Sequence, residues 1–258
     1  MKPSVLLVPD LLHWVTAKIG LAIAAGYGQK YNFSLVSERV LFEKLQADPD
    51  FLHQFALVHA LTPHIATRLG RHLSPSTKLI ATVHHVEDER SVEPMRAANA
   101  VMTVSGQWHG FLRLHYPQHA HKIILARNGV QSSIFMPVSP RRKRNLRRRY
   151  GIPEDRFVVG FSCKRTSNSH DRKGLDVLER LVGSRELSSA GIHWLLRGPG
   201  WNEFVSAIGA SNLTYLPYAF GEAMLARSYQ AMDAYLITSR IEGGQSRFWK
   251  RCLVGSRP

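Results

Sequence analysis

Phe157-Val-Val-Gly-Phe-Ser-Cys-Lys-Arg165 reads as a strand that runs into a loop with two cations, and Lys173-Gly174 follows eight residues later at the opening of the next helix. In open α/β sheets ligands lie beyond the carboxyl ends of the strands. Helix N-termini present N–H groups that favour anions there. Arg165 offers a planar fork and Lys173 a point charge, a combination suited to a diphosphate. Either cation taken alone also suits a plain solvated loop. Thr238-Ser-Arg-Ile-Glu242-Gly-Gly244 follows the last apolar run. A carboxylate braced by glycines, which let a ligand approach the backbone, accepts hydrogen bonds from sugar hydroxyls; it equally suits a cap before a turn. In the first half, Ala81-Thr-Val-His-His85 puts His84 at a strand end. An imidazole there either orients a substrate or makes a structural hydrogen bond.

These residues need a scaffold that brings strand ends to one edge. Short apolar runs alternate with amphipathic stretches along the chain. Strands are expected over 4–8, 33–36, 55–59, 78–83, 100–105 and 122–126, with helices over 15–26, 38–46, 63–73, 89–98 and 107–115 between them. The alternation pauses over 128–139 and a basic helix follows. It restarts with strands over 157–162, 192–197, 213–216 and 234–237, and with helices over 175–182, 203–209 and 222–231. Apolar strands alternating with helices predict parallel sheets covered on both faces. The expected fold class is therefore α/β, with two Rossmann-like doubly wound domains, the second incomplete. Residues 1–138 form the first, 139–156 a basic linker helix, 157–244 a partial second domain, and 245–258 an aberrant tail.

The tail carries no helical or strand period. Gln245-Ser-Arg-Phe-Trp-Lys-Arg-Cys-Leu-Val-Gly-Ser-Arg-Pro258 has four cations and no acid. Back-translated one base out of frame, the codon over Trp249 becomes Leu and the codon over Lys250 becomes Glu. Permitted codons then read Pro-Val-Pro-Val-Leu-Glu-Ala-Met, which places a second glutamate behind Glu242. A one-base deletion near codon 244 is the expectation. The net charge of +15 has the same origin in part. The tail and the run Arg141–Arg149 supply eleven cations, and removing both leaves +4. A basic surface suits anionic lipid, nucleic acid or phosphorylated ligands. Two cysteines argue against a disulfide framework and for a reducing compartment. The first ten residues do not read as a signal peptide, and no apolar run reaches the ~18 residues of a membrane span.

The motifs together resemble family-4 retaining glycosyltransferases of GT-B fold. Val101-Met-Thr-Val-Ser resembles the family's V-x-V-S strand. Ala126-Arg-Asn-Gly-Val-Gln-Ser-Ser-Ile-Phe-Met-Pro137 resembles its P-N-G-V-D-x-x-x-F-x-P signature, with Arg127 where Pro is usual and Gln131 where Asp is usual. Arg165 with Lys173-Gly-Leu-Asp-Val-Leu178 resembles G-R followed by K-G-x-D-x-L-L, although Cys163 and Lys164 precede Arg165. Gly198-Pro-Gly200 resembles the G-x-G turn, and Ser239-Arg-Ile-Glu242-Gly243 resembles P-S-x-x-E-G with Thr238 replacing Pro. By this resemblance Arg165, Lys173 and Gly174 bind the donor, with the two cations on its diphosphate. Glu242 contacts the donor sugar, and His84 resembles the histidine that faces the cleft. The resemblance implies transfer of a sugar from a nucleotide sugar to a glycan, lipid-linked or small-molecule acceptor, as in polysaccharide biosynthesis. It implies no cofactor and no metal. The second glutamate, which usually holds the ribose, is replaced by Lys250, so this chain is expected to be an impaired copy. Where members carry a Gly-rich loop, Pro9-Asp-Leu-Leu-His-Trp14 stands instead, and Trp14 is expected to pack.

Other signals carry less. Asp48-Pro-Asp50 mimics a metal-binding D-x-D but lies between helices, where a turn is the better reading. His84-His-Val-Glu-Asp-Glu89 and His115, His119 and His121 lack firm zinc spacing. The run Arg141–Arg149 suits peripheral contact with an anionic membrane, on a chain expected to be cytoplasmic. No aromatic-lined basic face or reading module supports nucleic acid. The alternatives are a GT-B relative without transferase activity (an epimerase, a phosphorylase or a binding-only pseudoenzyme) and, behind these, a basic nucleic-acid-binding protein.

Overall fold

The computed structural model describes residues 2–87, 91–218 and 221–243, and the side chains of all of these except 168 and 169. The chain divides into two compact units, Met1–Asn128 and Gly129–Pro258. The segment 129–138 belongs with the second unit: Phe135, 1% exposed, packs with Tyr229 in that unit's core.

In the first unit, β1 (Ser4–Val8), β2 (Asn32–Leu35), β3 (Leu57–Ala60), β4 (Lys78–Val83), β5 (Ala100–Thr103) and β6 (Ile123–Leu125) form one parallel sheet in the order β2-β1-β3-β4-β5-β6. The apolar strands are buried on both faces, as parallel pairing with helical crossovers requires. On one face α1 (Val15–Tyr27) covers Val5, Leu7 and Leu61 through Ile19 and Ile23. On the other, α2 (Glu38–Ala47), α3 (Pro63–Leu69), α4 (Pro94–Ala97) and α5 (Gly106–His115) cover Leu6, Val8, Val58, Leu79 and Val101. Pro63 and Pro94 sit in the first turns of α3 and α4, where a missing N–H costs nothing. The helix expected over 63–73 ends at Leu69, and a 3₁₀ turn over Gly70–His72 finishes it. Of the helix expected over 89–98 only Pro94–Ala97 is α-helical; residues 88–90 lie outside the described set.

The second unit opens with α6 (Pro140–Arg149), capped by the Ser139 hydroxyl on the Arg142 N–H. Then follow β7 (Phe157–Ser162), α7 (Ser167–Lys173), α8 (Leu175–Val182), α9 (Arg185–Ser189), β8 (Ile192–Arg197), α10 (Asn202–Ile208), β9 (Leu213–Leu216), α11 (Glu222–Ala231) and β10 (Ala234–Tyr235). The parallel sheet runs β10-β7-β8-β9. α6 and α11 cover Val158 and Leu195 on one face; α8 and α10 cover Phe161, Trp194 and Leu196 on the other. Among the described residues β10 is an edge strand, two residues long where four were expected. The tail 245–258 lies outside the described residues. Both units are thus doubly wound and Rossmann-like, as the strand–helix alternation predicted.

Candidate donor site

The carboxyl ends of β7, β8 and β10 gather the candidate residues of the second unit. Beyond β7 the chain leaves through Cys163–Thr166 into α7, a helix the sequence pattern had not marked. Polar residues from Ser167 to Lys173 hide its period. Lys173 therefore closes α7, and Gly174, at φ +59°, caps α8 in the left-handed region. A Cβ at Gly174 would lie 2.2 Å from the Thr238 carbonyl oxygen, so only glycine lets the loop after β10 come this close. The Thr238 hydroxyl donates to the Lys173 carbonyl at 2.6 Å, and the Arg240 and Ile241 N–H groups donate to the Arg172 carbonyl at 3.0 and 3.3 Å. These bonds pin the end of α7 to the loop that carries Glu242.

The result is an ion pair between the Lys173 Nζ and Glu242 Oε1, with the Ser239 hydroxyl donating to the same oxygen at 2.7 Å. Lys173 is buried and the Glu242 side chain is 27% exposed. Both residues picked from spacing, 69 positions apart, meet here. Arg165 is held differently. Its Nε donates to Glu179 Oε1 of α8 at 2.9 Å, and its guanidinium lies 5.9 Å from the ring centroids of Trp201 and Phe204. Its N–H donates to the Pro199 carbonyl at 2.9 Å, so the loop after β7 is stitched to the Gly198-Pro-Gly200 turn. Arg165 sits at the same sheet edge without joining the Lys173–Glu242 pair.

His84 directly follows β4 in the first unit. Its Nε2 donates to the Leu61 carbonyl at 2.9 Å, which leaves Nδ1 as the acceptor of the neutral ring. Burial holds its pKa below the ordinary imidazole value. The neighbouring His85 adds to this, while the Leu61 bond and Asp10 oppose it. The loop before α1 disagrees with expectation at Trp14, which is 41% exposed rather than packed. α1 starts at the next residue and buries Thr16, Ala17 and Gly20, which turns Trp14 outward. Among the described residues no three metal-ligating side chains gather at one point, and no helix is long and apolar enough to cross a membrane.

Sequence reasoning passed over Arg197, the last residue of β8, which is 4% exposed. Its one signal was a cation ending the apolar run Ile192-His-Trp-Leu-Leu directly before Gly198. It also passed over Glu179 and Ser239, ordinary polar residues until the fold sets them against Arg165 and Glu242.

A scan of known protein-family models and of curated proteins finds no match to this chain. Solved structures do match. Alr3699/HepE of Anabaena, crystallised in complex with UDP and glucose, aligns over 98% of this chain and 79% of its own, with a TM-score of 0.73 and 14% identity. WaaG, a glycosyltransferase involved in lipopolysaccharide biosynthesis, aligns over the same shares with a TM-score of 0.72 and 12% identity. MnaA of S. aureus, solved with UDP, covers 91% of this chain and 73% of its own at a TM-score of 0.63 and 9% identity. At these identities the likeness establishes the GT-B fold shared by both units.

Proposed function

We propose that this chain is a retaining glycosyltransferase of the family-4 type that takes a nucleotide-sugar donor at the carboxyl edge of its second sheet. The Lys173–Glu242 pair carries this reading. A buried cation and a half-buried carboxylate, drawn from distant segments and locked by Gly174 and Thr238, form a charge pair at the edge where α/β sheets bind ligands. In the donor complex Lys173 turns its charge to the diphosphate and Glu242 accepts hydrogen bonds from the sugar. Arg165 swings its fork from Glu179 to the same diphosphate. As the glycosidic bond breaks, negative charge builds on the leaving diphosphate, and fixed cations stabilise that charge more than they stabilise the ground state. The leaving phosphate helps take the acceptor proton, and Lys173 and Arg165, rather than a metal, neutralise the departing diphosphate. His84, neutral and oriented by Leu61, serves as a hydrogen-bonding group for a hydroxyl of a glycan or lipid-linked acceptor.

The chain is also proposed to be impaired. Lys250 stands where the resemblance expects the ribose-binding glutamate, and the tail reads as enzyme only in the shifted frame. The competing reading is a GT-B protein that binds nucleotide sugar without transferring it, which the missing glutamate favours. Calorimetric titration with UDP, ADP and GDP and with UDP-glucose tests both. Binding is expected only in the millimolar range, and Lys173→Ala should weaken it about tenfold or more, the worth of a charge-assisted hydrogen bond. Saturation at micromolar ligand would sink the impairment. Failure of any nucleoside diphosphate to bind, or indifference to Lys173→Ala, would sink the donor site. In a chain with the frame restored after codon 244, binding without transfer to any acceptor selects the competing reading.

A further inference from the structure

Arg197 presents an anomaly that the donor residues do not explain. It closes β8, an interior strand, opposite Ser162 of β7 and Leu216 of β9. It lies on the sheet face of Leu195, two residues back, which packs under α6 and α11. The residue is 4% exposed, and its Nε is buried with no hydrogen-bond partner among the described residues. Five carboxylates of the described second unit pair with other cations: Asp233 with Lys143 and Arg147, Glu154 with Arg148, Glu179 with Arg165, Glu242 with Lys173, Asp176 with Arg240. The electrostatic neighbours of Arg197 among the described residues are the phenols of Tyr150 and Tyr229, with no carboxylate among them.

A buried charge without a counter-charge costs several kcal/mol. Folds keep such a group where a ligand supplies what the protein lacks. The position fits a ligand. Arg197 stands at the carboxyl edge, and the turn that follows it is seated hard against the loop after β7. Gly198 and Gly200 have φ of +127° and +88°, and a Cβ on either would stand 2.1 or 2.3 Å from the carbonyl oxygens of Cys163 and Arg165. The same turn therefore fixes both Arg197 and the backbone of the Arg165 loop. The side chain's planar fork matches a phosphate better than a halide or a lone carboxylate oxygen.

We propose that Arg197 is an anion-binding residue that receives a phosphate group of the ligand bound at this sheet edge. The identity of that ligand as a donor diphosphate rests on the function proposed above; the anion site itself rests on Arg197. Thermal unfolding of the full chain and of Arg197→Met, with and without millimolar inorganic pyrophosphate, inorganic phosphate or UDP, tests the assignment. Without anion, Arg197→Met should unfold at a higher temperature than the native chain, because an apolar side chain of similar length removes the uncompensated charge. Pyrophosphate should raise the unfolding temperature of the native chain in a concentration-dependent way. The shift should need about tenfold more pyrophosphate in Arg197→Lys, which keeps the charge and loses the fork, and should vanish in Arg197→Met. If Arg197→Met is less stable than the native chain and the pyrophosphate shift survives in it, Arg197 is satisfied within the fold and the assignment is overturned. It is overturned equally if no anion shifts the native chain. A shift with UDP that is the same in all three proteins removes Arg197 while leaving the donor reading intact. A shift with pyrophosphate or phosphate that is lost in Arg197→Met, with none from UDP, keeps Arg197 and removes the donor reading.

Discussion

The histidines at the carboxyl edge of the first sheet show how burial sets charge one residue at a time. His59 of β3 is buried, bonds the Thr82 hydroxyl at 2.8 Å through Nε2, and has its pKa lowered to about 4, first by burial and then by the nearby His84. His84 is lowered in the same direction. Both rings are therefore neutral at pH 7, which suits His84 for hydrogen bonding and not for holding a diphosphate. The consequence for stability has a definite sign. Below pH ~6.5 the unfolded chain takes up a proton on His59 that the folded chain refuses until about pH 4. Unfolding free energy should thus fall as the pH drops through that window, by up to ~3 kcal/mol from His59. Denaturant unfolding followed between pH 7 and pH 4 checks this, and His59→Gln should flatten the slope. A slope unchanged in that variant would assign the acid sensitivity elsewhere.

At the scale of elements, the clamp that holds α6 to the second sheet is an ion network centred on Asp233. The Asp233 carboxylate accepts from Lys143 at 2.6 Å, from Arg147, and from the Val158 N–H of β7 at 2.7 Å. Arg147 also donates to the Ala231 carbonyl at 2.9 Å. Burial pushes the Asp233 carboxyl up, and the bonds from Lys143, Val158 and Arg147 outweigh it, so the group stays below the usual carboxylate range. Its contribution to stability is present above the unfolded carboxylate pKa of ~3.9 and is lost as the pH falls through the folded value. Asp233→Asn keeps the shape and removes the charge, leaving Arg147 buried beside a neutral amide. The expected loss is about 2–4 kcal/mol, read as a lower denaturation midpoint, with loss of the α6 helical signal before the sheet melts. Equal stability of that variant would show that Leu146 and the apolar face of α6 suffice.

The whole molecule carries a net charge of +15, and the structure sorts the basic helix into two faces. Lys143 and Arg147 turn inward to Asp233, while Arg141, Arg142, Arg144, Arg148 and Arg149 face solvent, Arg148 paired with Glu154. That outer face supports the proposed contact with an anionic membrane, at about 1 kcal/mol per cation near the surface. The chain should sediment with phosphatidylserine vesicles and not with phosphatidylcholine vesicles. Replacing Arg141, Arg142, Arg144 and Arg149 by glutamine should release it, whereas Lys143→Gln should not. Retention after the fourfold change would place the lipid contact elsewhere, with the exposed apolar residues Leu11, Leu12, Trp14 and Leu21 as the next surface to test.

Much of the architecture was legible because parallel strands buried on both faces must be apolar runs. The strands at 78–83, 157–162, 192–197 and 213–216 were placed residue for residue on that ground. α7 was not legible, since Ser167–Lys173 has no apolar stripe to betray it; its place comes from the bonds that its last turn makes to the loop after β10. The sequence by itself determined two sheets of parallel strands, the cations after β7 and the carboxylate after β10, because these follow from residue type and local period. Pairing was decided by the tertiary structure alone. Lys173 meets Glu242 because Gly174 admits the Thr238 carbonyl, Arg165 is held by Glu179, and Arg197 is left buried with its Nε unpartnered among the described residues. Which charge finds which partner depends on distances between segments far apart in the chain, and no local pattern encodes them.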